Sequence, residues 1–272
     1  GENVVIKLDM NKAFDHMEWD FINRVLQGMG FSPWNVDLFF RCLSSSWMVV
    51  MFMGKSYGFF NAARSLRQGD PISPRLFIIS QDILSHLIQR SCNSGAIQPY
   101  RRCWGSRTVS HLMFADNTLL FMNAGSRSLK GLNEVLDDYC FWSGQLTNKD
   151  KSHFFLSNKC SYTWMSAVYT TLAMQQGSFP NEYLGAPISP SRLHIWDFDF
   201  LSTKFVDRIH NKKNKFLSFG GHIALMNSVL LASPVQAHSS IKVPKGVISN
   251  IDKILTNFIW DPKAEVKWHW SS

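Results

Sequence analysis

Ser110-His-Leu-Met-Phe-Ala-Asp-Asn-Thr-Leu-Leu-Phe-Met122 sets a small polar cluster between two apolar runs. Leu112, Met113 and Phe114 lead in, Ala115, Asp116 and Asn117 interrupt, and Leu119, Leu120 and Phe121 lead out. The pattern predicts two short buried strands joined by a tight turn with Asp116 at the tip. Two readings remain open for the acid. It can be an ordinary turn residue that hydrogen-bonds its own backbone, or a carboxylate presented on a rigid hairpin to a cation or ligand.

A second stretch bears on the choice. Val4–Leu8 (VVIKL) is β-rich and ends in Asp9, followed by MNKAFDHMEWDFI. A strand that delivers one Asp and a hairpin that delivers another 107 residues later can set two carboxylates side by side at one sheet edge. Hard divalent cations such as Mg²⁺ take oxygen ligands, a few from protein and the rest from water and phosphates. Two such ions held by shared carboxylates support in-line phosphoryl transfer. The residues thus point to metal-assisted phosphate chemistry without naming the reaction.

The 272 residues allow one large or two small domains with a sizeable core. Hydrophobic content of 45% and aromatic content of 14% belong to a folded chain. A net charge of +8 and a pI near 9.3 favour anionic partners such as nucleic acid, although housekeeping enzymes can be as basic. The five cysteines, Cys42, Cys92, Cys103, Cys140 and Cys160, are scattered and odd in number, with no CxxC or Cys/His cluster. That indicates neither a zinc site nor a disulfide framework, and a reducing compartment, nuclear or cytoplasmic, fits best. No apolar run reaches the roughly 18 to 20 residues needed to span a bilayer, so no membrane partner is expected. The opening GENVVIKLDM enters a β-like run at once, with neither signal peptide nor initiator Met, and the expectation is a fragment of something longer.

In chain order, apolar positions predict a helix from Asp15 to Met29, stopped by Gly30, and a second from Ser32-Pro33 through Leu43. Trp47–Met53 and Tyr57–Ala62 predict a hairpin turning at Gly54-Lys55. Arg64–Pro74 is a loop opening a long helix from Pro74 to about Arg90. Gly95–Gly105 is loop and edge strand, and its nearby Arg101, Arg102 and Arg107 are expected on solvated surface. After the hairpin come a helix over Ser126–Ser143, a strand ending His-Phe-Phe-Leu156, a helix from Tyr162 to about Met174, and a tight turn at Glu182–Gly185. Three further helices are expected over Trp196–Leu217, His222–Leu231 and Lys245–Ile259, with a domain boundary near 187.

Five motifs in order resemble the palm of reverse transcriptases: Asp9–Asp15 (DMNKAFD), Arg67–Pro74 (RQGDPISP), Phe114–Asn117 (FADN), Asn148–Ser152 (NKDKS) and Tyr183–Gly185 (YLG). The chain is most similar to plant non-LTR (LINE-type) retrotransposon enzymes, and Leu217–His222, Pro244–Gly246 and Asn257–Trp260 resemble the segment that follows the palm there. The resemblance implies an α+β, right-hand polymerase palm over 1–187 and a helical thumb over 188–272. The implied activity is RNA-directed DNA polymerisation on an RNA template and DNA primer, with deoxynucleoside triphosphates as substrates. RNA-dependent RNA polymerases share the palm, but an aromatic at Phe14 argues against them. Group II intron maturases share more, and the C-terminal run favours the LINE type.

By the resemblance, Asp9 and Asp116 would bind two Mg²⁺ ions, replaceable by Mn²⁺, with the Met10 carbonyl and Asn117 as further ligands. Phe14 would be the steric gate against a ribose 2′-hydroxyl, or a core residue. Arg67, Gln68 and Gly69 would meet the incoming nucleotide, although Gly-Asp-Pro also suits a turn into a helix. Lys151 would protonate or stabilise the leaving pyrophosphate, or lie on the surface. Tyr183, Leu184 and Gly185 would grip the primer, and Lys212, Lys213 and Lys215 would hold duplex phosphates. Asp15 would organise its helix.

Two departures stand out. The family's second hairpin carboxylate is here Asn117, and His222 stands where relatives carry Arg. One unit charge pair at 4 Å is worth roughly 4 kcal/mol at an effective dielectric of about 20. Even a third of that is about tenfold in rate. With the fingers motifs also absent before Asp9, the expectation is a weakened or inactive polymerase. The alternative is a catalytically silent element remnant that at most binds RNA or RNA–DNA duplex.

Overall fold

Val4, Ile6 and Leu8 alternate with Asn3, Val5 and Lys7 along β1 (Asn3–Leu8), and only the first set is fully buried. Side chains alternate across a strand, so β1 commits one face to a core and leaves the other for function. The computed structural model describes residues 3–100, 108–156, 160–209, 219–227 and 243–260. The chain divides into two units, Gly1–Gly177 and Ser178–Ser272. The division falls ahead of the Tyr183–Gly185 turn, which belongs to the second unit, whereas the sequence reading drew it near 187.

In the first unit β1 is the middle strand of a five-stranded sheet with order β4-β5-β1-β6-β7. Here β4 is His111–Phe114, β5 Asn117–Asn123, β6 His153–Leu156 and β7 Gln175–Gln176. The β4–β5, β5–β1 and β1–β6 pairs are antiparallel, and β6–β7 is parallel. Ile6 lies between Leu120 and Phe154, and Val4 between Met122 and Leu156, so apolar residues of three strands meet on one face. That face joins a core with buried residues of α2 (Trp19–Gly28), α3 (Pro33–Ser44), α4 (Ser73–Asn93), α5 (Ser126–Ser143) and α6 (Tyr162–Leu172). The fold is α+β.

Most predicted elements are present, and the differences have local causes. The expected Asp15–Met29 helix is two, α1 (Ala13–His16) and α2. Between them Met17 is extended (ψ 120°) and fully buried, and its carbonyl accepts from the Ser65 N–H at 2.9 Å. That carbonyl is thereby taken by a loop rather than a helical turn. The hairpin β2 (Trp47–Phe52)–β3 (Lys55–Asn61) turns at Met53-Gly54, one residue early, because both take positive φ (48° and 73°) as a two-residue turn requires. β4 is an edge strand, not a buried one: Phe114 is 56% exposed. Residues 101–107, which include Arg101, Arg102 and Arg107, lie outside the described residues.

The second unit holds the hairpin β8 (Asn181–Tyr183)–β9 (Ala186–Ile188), a 3-10 turn at Ile195–Phe198, α7 (Asp199–Ile209), α8 (Phe219–Leu225) and α9 (Lys245–Trp260). Val247, Ile251, Ile254, Leu255 and Phe258 form a helical stripe on α9 that buries against Phe198 and Val243. The expected Trp196–Leu217 helix thus opens as a 3-10 turn before α7. Lys212, Lys213 and Lys215 lie outside the described residues.

Candidate active site

The strand register sets the first geometric fact. Leu8 pairs with Thr118 at the end of β1, so one step further Asp9 lies across from Asn117. Phe114 pairs with Asn117, which leaves Ala115 and Asp116 as a two-residue turn. Both expected carboxylates therefore sit at one edge of one sheet, half-buried. The turn is not built by its Asx residues, since the left-handed position is taken by Ala115 (φ 49°). A non-glycine residue there is strained by roughly 1–2 kcal/mol. Surrounding contacts hold it. Gln81 Nε2 donates to the Ala115 carbonyl at 3.4 Å, and the Tyr139 hydroxyl donates to Gln81 Oε1 at 2.6 Å. Burial raises the Tyr139 phenol far above its ordinary range, so it stays a neutral donor.

Asn148–Ser152 folds against the other side of Asp9. The Asp9 N–H donates to Ser152 Oγ at 3.0 Å, and the Asn148 N–H donates to the Asp9 carbonyl at 2.8 Å. The Lys151 N–H donates to Asn148 Oδ1 at 3.2 Å, closing the turn that carries this exposed lysine. Burial raises the Asp9 carboxyl above its ordinary value; Lys151 and Lys7 pull it back, and Asp116 pushes it up further. Asp9, Asp116 and Lys151 thus share one electrostatic neighbourhood.

Met10 bridges Thr147, flanked by hydrogen bonds from Asn11 N–H to the Leu146 carbonyl (2.8 Å) and from Asn148 N–H to the Asp9 carbonyl. In such a pair the residue's own carbonyl points away from its partner, here toward the hairpin side. Asn117 Nδ2 donates to Asp116 Oδ1 at 3.1 Å, placing a neutral amide beside the carboxylate at the tip. Two carboxylates and a backbone carbonyl at a sheet edge suit a hard cation that completes its shell with water and phosphate. Like charge and burial both make Asp9 costly to ionise alone, and a cation would offset both. Among the described residues no cluster of three His, Cys, Asp or Glu side chains could hold a metal.

The Arg67 loop is tied to the segment after Asp9. The Leu66 N–H donates to the Phe14 carbonyl (2.7 Å), and Trp19 Nε1 donates to the Ser65 carbonyl (2.7 Å). Asp15, Arg67, Gln68 and Asp70 line a cleft of about 660 Å³, with Trp19 and Trp47 among its apolar walls. Arg67 donates to the Ser46 hydroxyl. Gly69 turns at φ 92°, and Asp70 Oδ1 accepts from the Ile72 N–H at 2.9 Å as α4 begins. The Phe14 ring stacks on Phe77, centroids 4.8 Å apart and planes 12° apart, partly buried against the core. Tyr183, Leu184 and Gly185 make the β8–β9 turn of the second unit, with positive φ at Leu184 (52°) and Gly185 (79°).

The sequence profile of reverse transcriptase (RNA-dependent DNA polymerase) matches residues 1–219. The chain belongs to the reverse transcriptase family. An uncharacterized mitochondrial protein of Arabidopsis thaliana is 38% identical over 72 residues, 26% of this chain and 59% of that protein. The retrovirus-related Pol polyprotein of the type-1 retrotransposable element R2 of Popillia japonica is 28% identical over 116 residues, 43% of this chain and 18% of the polyprotein. The chain therefore spans only part of these relatives, and its kinship is with plant-like non-LTR reverse transcriptases. Telomerase from Candida tropicalis, solved with the TWJ fragment of telomeric RNA, has a TM-score of 0.49 at 10% identity over 93% of this chain and 37% of that one. A likeness of that size adds nothing to the family match.

Tyr139 faces inward by its helical spacing, but Gln81, which links it to this reverse transcriptase's turn, is not singled out by the sequence reading. A signal existed. Gln81 stands on the apolar stripe of α4 with Phe77, Leu84 and Ile88, and a polar residue buried there needs a partner.

Proposed function

We propose that this domain is an RNA-directed DNA polymerase of two-metal type whose catalytic edge works at reduced charge. The observation that carries the reading is the β1–β5 register, which supports Asp9 and Asp116 acting together with Lys151 beside them. The first unit would serve as palm and the second as thumb. Asp9, Asp116 and the Met10 carbonyl would hold the cations, with the Asn117 amide oxygen a weaker fourth donor after rotating away from its bond to Asp116. Bound there, Mg²⁺ would activate the primer 3′-hydroxyl and neutralise the triphosphate. Lys151 would stabilise or protonate the leaving pyrophosphate. Arg67 and Gln68 would orient the deoxynucleotide in the cleft they line, Gly69 beside them would let the backbone approach it, and Phe14, stacked on Phe77, would exclude a 2′-hydroxyl. Tyr183–Gly185 would grip the DNA primer, and the basic Lys212, Lys213 and Lys215 would hold phosphates of the RNA template–DNA primer duplex.

Asn117 favours a second reading, a remnant that binds nucleic acid without extending it. Primer extension on an RNA template with Mg²⁺ separates them. The expected order is slow extension by the chain itself, extension roughly tenfold faster for Asn117→Asp, and none for Asp9→Ala in that background. Folded protein that extends in none of these forms would sink the polymerase reading and leave the remnant.

A further inference from the structure

The second unit carries a cleft of about 800 Å³ between the segment 191–196 and the start of α9, lined by Arg192, His194, Ile195, Trp196, Val243 and Lys245 among others. Its floor is built on the unit's own core, where Phe198, Val243 and Val247 are buried and Leu193 packs against them. The two walls are in close contact. A Cβ added at Gly246 would come within 3.0 Å of Ile195 Cδ1. The rings of His194 and Trp196 stack with centroids 4.4 Å apart and planes 14° apart, and Trp196 is nevertheless 67% exposed. A reciprocal capping box fixes this pair: the His194 N–H donates to Asp197 Oδ2 at 2.7 Å, and the His194 side chain accepts from the Asp197 backbone. Asp197, the nearest acid in sequence, is thereby engaged.

A rigid stacked ring pair left open to solvent, with Arg192 and Lys245 around it and no carboxylate lining the same cleft among the described residues, has a specific complement. A nucleic-acid single strand repeats a flat aromatic surface and a negative charge at every residue. Stacking needs an unpaired base, because a duplex buries its base faces and shows only edges. Arginine and lysine then neutralise the flanking phosphates. We infer that the Arg192–Trp196–Lys245 cleft is a single-stranded nucleic-acid site. One unpaired base stacks on the Trp196–His194 platform, and its phosphates are met by Arg192 and Lys245. The inference deepens the polymerase reading, and rests on it in taking the RNA template as the strand concerned.

The test is metal-free, so that it fails separately from polymerase activity. The full chain is titrated in EDTA against short labelled single-stranded RNA, single-stranded DNA of the same sequence and a blunt duplex, with anisotropy read at several salt concentrations. Trp196→Ala is expected to weaken single-strand binding roughly tenfold while leaving the salt slope and duplex binding unchanged. Trp196→Phe retains most of the affinity. Arg192→Gln and Lys245→Gln are each expected to flatten the log–log salt slope by about 0.7. Preference for RNA over DNA, or for neither, identifies the strand and supports the site in both cases. Because Trp196 is exposed, thermal melting of each variant should match wild type. Single-strand affinity unchanged in Trp196→Ala would overturn the inference. So would equal weakening on single strand and duplex, or salt slopes unmoved in both cation variants. If extension fails in every form while Trp196→Ala still weakens single strands, the polymerase reading falls and this site stands.

Discussion

Two hairpins of the first unit, β2–β3 and β4–β5, are each closed by two-residue turns, and they are held in different ways. Every residue of β2 and β3 is exposed, Phe59 to 77%, and the pair makes a sheet of its own. In β4–β5 the second strand lies between β4 and β1, with five of its seven residues buried. Both turns open on a non-glycine residue at positive φ, Met53 at 48° and Ala115 at 49°, but Met53 is followed by Gly54 and Ala115 by Asp116. What differs is the support: Met53 is 88% exposed, whereas the core, the β1 register and the Tyr139–Gln81 relay hold the backbone around Ala115. Two adjacent carboxylates are held by packing around the turn rather than by turn chemistry.

The largest test of that contrast is a pair of truncations. Ile6→Ala removes a fully buried side chain between Leu120 and Phe154 and is expected to destabilise the protein by about 2–5 kcal/mol in urea unfolding. Val50→Ala, in the exposed hairpin, is expected to change stability by less than about 0.5 kcal/mol. Comparable losses at the two sites would mean that β2–β3 is packed in solution and the contrast is false.

Local pattern explains what could be read from the sequence. The apolar alternation of β1 and the Phe114–Asn117 turn between apolar runs set the strand pair and both carboxylates, because strand period and turn spacing are written in adjacent residues. Helix α5 matched its expected bounds, Ser126–Ser143, since Gly144 ends it in a left-handed cap. What stayed hidden depends on distant partners. The break at Met17 needs the Ser65 N–H, the hold on Ala115 needs Gln81 and Tyr139, and the exposure of β4 follows from its place at a sheet edge. The 3-10 start of α7 was missed for a smaller reason: the His194–Asp197 box looks like loop polarity until its geometry is known.

A smaller effect sharpens the contrast electrostatically. In the metal-free fold, burial and Asp116 raise the Asp9 carboxyl above its unfolded value. An acid with a raised folded value binds its proton more tightly when folded. Its stabilising contribution is therefore present below the unfolded value and is lost as pH rises through the folded one. At neutral pH the ionised Asp9 is a burden on the fold. Asp9→Asn is expected to raise the melting temperature in EDTA, with the gain shrinking toward acid pH. Added Mg²⁺ should stabilise wild type more than the variant. A variant that melts lower than wild type in EDTA at neutral pH would show that Asp9 is a stabilising structural acid, not one held for a cation.

The smallest effect probes the turn itself. Ala115→Gly relieves a positive φ that disfavours alanine by roughly 1–2 kcal/mol, but glycine adds unfolded-state freedom of about 0.4–1 kcal/mol against it. The net expectation is a gain on the order of 0.5 kcal/mol in urea unfolding. Gly185→Ala, at φ 79° in the β8–β9 turn, is the opposite exchange and should lose a similar amount. Activity decides what the strain does. If the alanine fixes Asp116 against Asp9, then Ala115→Gly in the Asn117→Asp background is more stable and slower in primer extension. A variant both more stable and equally fast would mean that the turn tolerates alanine only because its neighbours hold it, and that the position of Asp116 owes nothing to residue 115.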